Sequence, residues 1–292
     1  MKRWCAVLLA LVVGTQLAAS PAEERGDRAW KGRHAGFAES GRVSPGPATE
    51  AVAAYEQALL GEPRNVPLRL KLVEALYFQG SFATDDDKTG KKIYDRAVEL
   101  AEETVDLVAA SVGDPREIRK LPLEQRAERI RAASHAAPAH FWAAIAWGLW
   151  GMSHNRAAAG FKGVAGKIRD HARMVMLLDP GYAAAGGMRL LGRLHTATPR
   201  IVLFTGWIDR REGLELLRRA SEISTDDARN PLFLAEAILK YDPERRPDAL
   251  RMLREVSARR PDPDYLVEQS EIIGQARVLL GELGLSSTGE SP

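Results

Sequence analysis

The residues best suited to hold a ligand in this chain are aromatic. Trp142, Trp147 and Trp150 lie in the run FWAAIAWGLW behind Phe141, with His154 one turn further on. At helical spacing Trp147 and Trp150 share a face with Ala143 and His154, and Trp142 points elsewhere. Indoles on more than one face make a helix apolar around most of its circumference, the pattern of an enclosed helix. Trp147, Trp150 and His154 are therefore the candidate ligand-contacting residues. They would line an apolar pocket, a passage or a subunit interface. A central core helix is the other reading of the same pattern.

Other constellations carry less chemistry. Asp85, Asp86 and Asp87 form an acidic triple that could suit a hard cation or a docking partner. No alternating Asp/Asn loop and no Glu at the twelfth position accompany it, and helix capping is the expected role. His135 and His140 in HAAPAH are five apart with Pro138 between them, so they do not stack on one helix face. His154, His171 and His195 are scattered, no HExxH is present, and no metal site is expected. Gly160, Gly163, Gly166 and Lys167 in GFKGVAGKI fail the phosphate-loop pattern at Phe161 and Ile168, which leaves a flexible hairpin insertion. There is no GxSxG elbow, and the single cysteine is Cys5. The expectation is a non-enzymatic protein without a cofactor. Lys plus Arg number 41 and Asp plus Glu 39. Removing Lys2 and Arg3 from the 41 leaves 39, a net charge of zero, which argues against nucleic-acid binding.

The N-terminus explains that subtraction. Lys2 and Arg3 precede the apolar run WCAVLLALVVG, and the small, polar TQLAASPA follows. This is the three-part pattern of a secretory signal peptide, predicted over residues 1–22 with cleavage after Ala19 or Ala22. The run falls short of the ~20 residues of a membrane span. Cys5 precedes it, so the chain carries no lipobox cysteine. Residues 23–47 are charged and rich in Gly and Pro, and read as a flexible linker. Residues 48–284 read as an all-α domain and 285–292 as a disordered tail.

Within the domain a pattern repeats. Ala51, Tyr55, Ala58 and Pro63 have the spacing small-x3-large-x2-small-x4-Pro, and Ala249, Leu253, Val256 and Pro261 repeat it. Gly213, Leu217, Ala220 and Thr225 fit with Thr for Pro. Ile168, Ala172, Val175 and Pro180 fit with the first two sizes exchanged, and Ala97, Ala101, Thr104 and Ala109 fit loosely. This is the second-helix signature of a tetratricopeptide (TPR) hairpin. Small residues let two helices approach, the large one fills the gap, and Pro ends the helix. Trp142, Ile145, Ala146 and Leu149 match the first-helix spacing. The predicted fold is an irregular TPR-like helical-hairpin solenoid or bundle. The uneven spacing of the repeats places insertions inside the hairpins, the longest around Gly113 to Pro138.

The order of several short motifs resembles the T-component family associated with TRAP transporters. They are GSFATDD from Gly80, FWAAIAWG from Phe141, LDPGYAAAGG from Leu178, MRLLGRL from Met188, and GLELLRRASEIS from Gly213. After Pro199 the chain has Thr205, Gly206 and Trp207 where that family usually has a Gly-Gly-Asp-like turn. The resemblance implies a periplasmic protein, a trimer in some members, that cooperates with a substrate-binding protein in uptake of an organic ligand. An envelope TPR scaffold for protein–protein interaction is the alternative.

Overall fold

The computed structural model describes residues 19–285, and every regular element among them is helical. The predicted signal segment up to residue 18 and positions 286–292 of the predicted tail lie outside the described residues.

The helices come as hairpins. The first joins α1 (Pro21–Lys31) through the short α2 (Phe37–Ser40) to α3 (Pro45–Gly61). The second pairs α4 (Val66–Phe82) with α5 (Asp87–Ala110), and α6 (Pro115–Lys120) and α7 (Leu123–Ile130) follow it. The third runs α8 (Ala136–Ser153), α9 (Arg156–Phe161), α10 (Val164–Leu178). The fourth runs α11 (Tyr182–Ala197), α12 (Val202–Thr205), α13 (Arg210–Ile223). The fifth pairs α14 (Arg229–Tyr241) with α15 (Arg246–Ser257), and α16 (Leu266–Glu282) ends the array. Each long helix packs on the next in chain order, the nearest-neighbour logic of a solenoid.

The repeat positions are the seams. Ala51, Tyr55, Ala58, Ala249, Leu253 and Val256 are all buried, and Pro63 and Pro261 sit in the turns that follow α3 and α15. Tyr55 lies against Gly26 of α1, where a Cβ would come within 2.5 Å of the ring. Leu217 lies against Gly192 in the same way, at 2.8 Å. Only glycine permits those approaches.

Two expectations need correction. Residues 23–47 are not a linker, because α1 is the missing first helix of the first hairpin. Its signals are ordinary: Ser20 accepts from the Glu23 amide, Pro21 opens the first turn, and Glu23 and Glu24 precede Arg28 and Lys31. The glycines mark where α1 and α2 stop, with Gly36 and Gly41 at φ 84° and 66° around α2. The longest insertion, α6–α7, also lies between the second and third hairpins rather than inside one. A spacing counted from second helix to second helix cannot separate the two cases.

The two ends of the array meet. Arg33, just past α1, is buried and donates to Glu268 of α16 from Nε (3.2 Å) and Nη2 (3.1 Å), and to the Asp264 carbonyl. His34 Nε2 lies 3.1 Å from the other Glu268 oxygen. Val267 shares a small core with Ala48, Phe78 and Ala83 of the first two hairpins.

Gly26→Ala is expected to destabilise the protein by about 1–3 kcal/mol, because a Cβ must displace the Tyr55 ring. Gly46→Ala, which meets open space in α3, should be neutral or slightly stabilising. Urea unfolding checks both, and equal effects would mean that α1 is not docked.

Candidate functional site

Residues of the first helices of successive hairpins come together through their aromatic rings. Glu74 and Tyr77, three apart on α4, share a face. The Tyr77 ring meets Phe82 edge-on at 5.9 Å and Trp142 of α8 at 5.8 Å. Trp142 meets Phe141 at 5.7 Å, and Phe141 meets Tyr182, at the start of α11, at 5.4 Å. A continuous aromatic wall thus crosses three hairpins.

Charged groups complete the ring of residues. Burial pushes the Glu74 carboxyl above its ordinary value; Arg33 opposes and Glu268 adds to the rise. Burial likewise raises the Tyr77 hydroxyl to about 12, against the pull of Arg229 and with the push of Glu268. The Tyr182 hydroxyl is raised by burial and then by Glu74 and Asp179. Groups on α4, α11, α14 and α16 therefore sense one another. Among the described residues no hydrogen bond or ion pair engages the Glu74 carboxylate, and none engages the Tyr77 or Tyr182 hydroxyl. Nor are these atoms sealed from solvent. All three residues are half-buried. Polar groups so placed are satisfied by water or by a ligand.

A buried polar network positions two of these groups. Asp227 pairs with Arg229 through both carboxylate oxygens, at 2.8 and 2.6 Å, and with Arg189 at 3.2 Å. Arg189 is 3% exposed. It donates to the Ala183 and Ala184 carbonyls (3.2 and 3.1 Å) and to Asn230 Oδ1 (3.0 Å). Burial lowers its pKa to about 10, so it stays charged at neutral pH. Ala183, Ala184 and Ala185 are left-handed, with φ of 51°, 56° and 60°. Each costs on the order of 1 kcal/mol, and the guanidinium holds the turn through its carbonyls. Gly186 then lets the turn rest on Phe141, where a Cβ would lie 2.5 Å from the ring. The LDPGYAAAGG motif is thus a strained turn that presents Tyr182.

The sequence candidates lie elsewhere. Trp147 and Trp150 are buried, at 4% and 3% exposure, in the core shared by α3, α4, α5 and α8. Their Nε1 atoms donate to Glu102 and Asp95 of α5, both at 2.6 Å. His154 stacks on Trp150 at 3.8 Å, and its Nδ1 lies 3.0 Å from the Trp150 carbonyl. These three residues join α8 to α5 and do not surround an apolar passage. Trp142, expected as a repeat-packing residue, is half-buried and faces the interior wall. Asp86 caps α5, accepting from the Lys88 and Thr89 amides.

The structure also brings together two histidines that spacing kept apart. His140 and His171 face each other with Nδ1 atoms 2.8 Å apart, and His171 Nε2 lies 3.3 Å from Glu102. They border a cleft of about 170 Å³ roofed by Ile118 and Ile130 of α6 and α7, with Lys167, Asp106 and Arg126 at its edge. Glu102 would rise on burial, but His171, the Trp147 N–H and Lys167 together hold it at about 2. Burial and the His171 and Arg126 charges keep His140 well below its ordinary value. Both ring nitrogens of His171 are engaged, and among the described residues the His140 Nε2 alone of this cluster's ring nitrogens has no hydrogen bond. No protein-family model matches the chain, and no curated protein matches it.

Two outcomes follow. Glu102, depressed from 4.5 to about 2, contributes stability that is complete above about pH 4.5 and is lost as pH falls toward 2. His140, depressed from 6.5, likewise makes the fold weaken as pH falls below 6.5. Glu102→Gln combined with His140→Asn should flatten the loss of stability on acidification, read by urea unfolding across that range. An unchanged slope would refute both assignments. Trp150→Ala should cost about 3–5 kcal/mol, as a core aromatic does.

Proposed function

We propose that this chain is an exported, non-enzymatic binding component of a solute-uptake system, of the TRAP type its motifs resemble. It holds or passes a small organic ligand in the interior ringed by Glu74, Tyr77, Trp142, Tyr182 and Arg229. It works in the periplasm with a substrate-binding protein, and the resemblance suggests a trimer. The observation that carries this reading is the set of unpartnered polar groups against an aromatic wall, a common composition of small-molecule sites. At the His140–His171–Glu102 cluster both His171 nitrogens are engaged, so that residue is held for packing rather than free to act on a substrate. Export with cleavage after Ala19 would keep Ser20 as the cap of α1, whereas cleavage after Ala22 would remove it.

One feature favours the alternative, an envelope scaffold for protein–protein interaction. An open groove of about 600 Å³ runs between α3, α4 and α5, lined by Glu56, Leu60, Arg69, Arg96 and Glu103. Its ion pairs, Arg69–Glu103 at 2.9 Å and Arg96–Glu56 at 3.6 Å, could exchange for those of a peptide.

Native mass spectrometry of protein purified from its host envelope separates the readings. The uptake reading expects an oligomer with a co-purified small molecule. Glu74→Gln with Tyr77→Phe should lower that occupancy about tenfold, while stability changes by no more than about 1 kcal/mol or improves. A ligand-free monomer carrying a protein partner that Arg69→Ala/Arg96→Ala releases would establish the scaffold instead.

A further inference from the structure

The turns inside the third and fourth hairpins build an exposed apolar rim. Phe161 ends α9, and Val202, Leu203 and Phe204 make up most of α12. The two turns touch, with the Phe161 and Phe204 rings 6.2 Å apart and Gly160 against the Phe204 ring. Yet the tips stand in solvent: Phe161 is 84% exposed, Val202 89% and Leu203 87%. Ile201 adds to the same rim. A turn between two solenoid helices needs no such residues, and Gly, Asn or Ser would serve. A contiguous exposed apolar patch of this kind marks a surface that something covers.

The charge around the rim indicates what covers it. No acidic residue occurs from 151 to 169 or from 180 to 208, although 39 of the 292 residues are acidic. Arg156, Lys162 and Arg200 flank the apolar tips and are exposed. Arg200 is fixed beside the turn by its Nε bond to the Gly206 carbonyl at 2.9 Å, and Lys162 lies over the Trp150 ring at 4.6 Å. The carboxylates that bound these stretches in sequence are engaged locally: Asp170 pairs with Arg169 at 2.8 Å, Asp179 accepts from the Gly181 amide at 3.0 Å, and Asp209 accepts from the amides that open α13. Apolar tips within a collar of cations and no anions match the headgroup region of an anionic bilayer. There aliphatic and aromatic side chains enter the acyl boundary while Lys and Arg reach the phosphates.

We propose that this rim docks the protein on an anionic phospholipid bilayer, with Phe161, Val202 and Leu203 entering the interface and Arg156, Lys162 and Arg200 meeting lipid phosphates. The docking is independent of the interior site and goes beyond the uptake reading. It would hold the third and fourth hairpins against a membrane surface without a covalent lipid.

Vesicle flotation tests it with the full chain and two variants, Val202→Ser/Leu203→Ser and Lys162→Ala/Arg200→Ala. All three share the same N-terminus, so differences among them report the rim alone. All changed side chains are exposed or at the surface, and circular dichroism checks that the helices persist. Vesicles of about one-third phosphatidylglycerol in phosphatidylcholine should bind the wild type roughly tenfold better than phosphatidylcholine alone, and less well at high salt. The apolar variant should lose roughly tenfold on the anionic vesicles, and the charge variant should lose its preference for them. Wild-type protein that does not float, or variants that float as the wild type does, would overturn the proposal. So would an oligomer in sedimentation analysis that the apolar variant converts to a monomer, since a second copy of the chain would then cover the rim.

Discussion

The Arg33–Glu268 pair is the contact on which the interior depends. Most contacts in a solenoid are local, each helix resting on its neighbour in sequence. This pair joins positions 235 residues apart. The entropy of closing so long a loop grows only with the logarithm of its length. The local hairpins have moreover already ordered most of the intervening chain, so little remains to be lost at closure. Arg33 is buried over the Trp30 ring at 4.2 Å, and Glu268 is flanked by His34, so neither charge is left alone. Removing one partner of such a buried pair typically costs about 3–5 kcal/mol because the other is stranded. Without Arg33, α16 keeps only the His34–Glu268 contact and the Val267 packing to return it to the first hairpins, and Glu74 loses the one cation it senses.

The second constraint is local strain. Three consecutive left-handed alanines would not persist in an isolated peptide. Here Arg189 and Asn230 together take the carbonyls that the turn exposes, and Asp227 balances the guanidinium. The same Asp227 holds Arg229. One buried carboxylate therefore contacts both the arginine that holds the backbone presenting Tyr182 and the Arg229 cation. The Tyr182 turn and Arg229 thus share one hydrogen-bonded network.

Much of the fold was legible because the repeat rule is a packing rule. Ala51, Tyr55 and Ala58 had to sit at a helix–helix seam for steric reasons, and they do. The first helix was missed because α2 and its glycines separate α1 from α3 by more than the usual turn, which broke the expected spacing and made the segment read as composition. Trp147 and Trp150 illustrate a different limit. Their helical pattern says that the helix is enclosed, but it cannot say whether protein or ligand encloses it. The answer lay in Glu102 and Asp95, whose carboxylates take the indole N–H groups from another helix. The interior site was less legible still. Glu74 and Tyr77 had a local signal, a carboxylate within the apolar run LVEALYF. Their meeting with Trp142, Tyr182 and Arg229 depends on the curvature of the whole array, which no short pattern encodes.

The contrast between the two polar clusters carries the functional argument furthest. At His140–His171–Glu102, burial is largely matched by partners: Glu102 accepts from Trp147 and lies against His171, and the two histidines meet through their Nδ1 atoms. Such a cluster specifies how α5, α8 and α10 pack. At Glu74–Tyr77–Tyr182, burial raises all three groups toward their neutral forms, and none of the described residues answers them. A fold that needed only stability would gain from apolar replacements there, since a half-buried carboxyl without a partner weakens it. Three such groups lie beside a wall of aromatic rings, and the proposed ligand site rests on that combination.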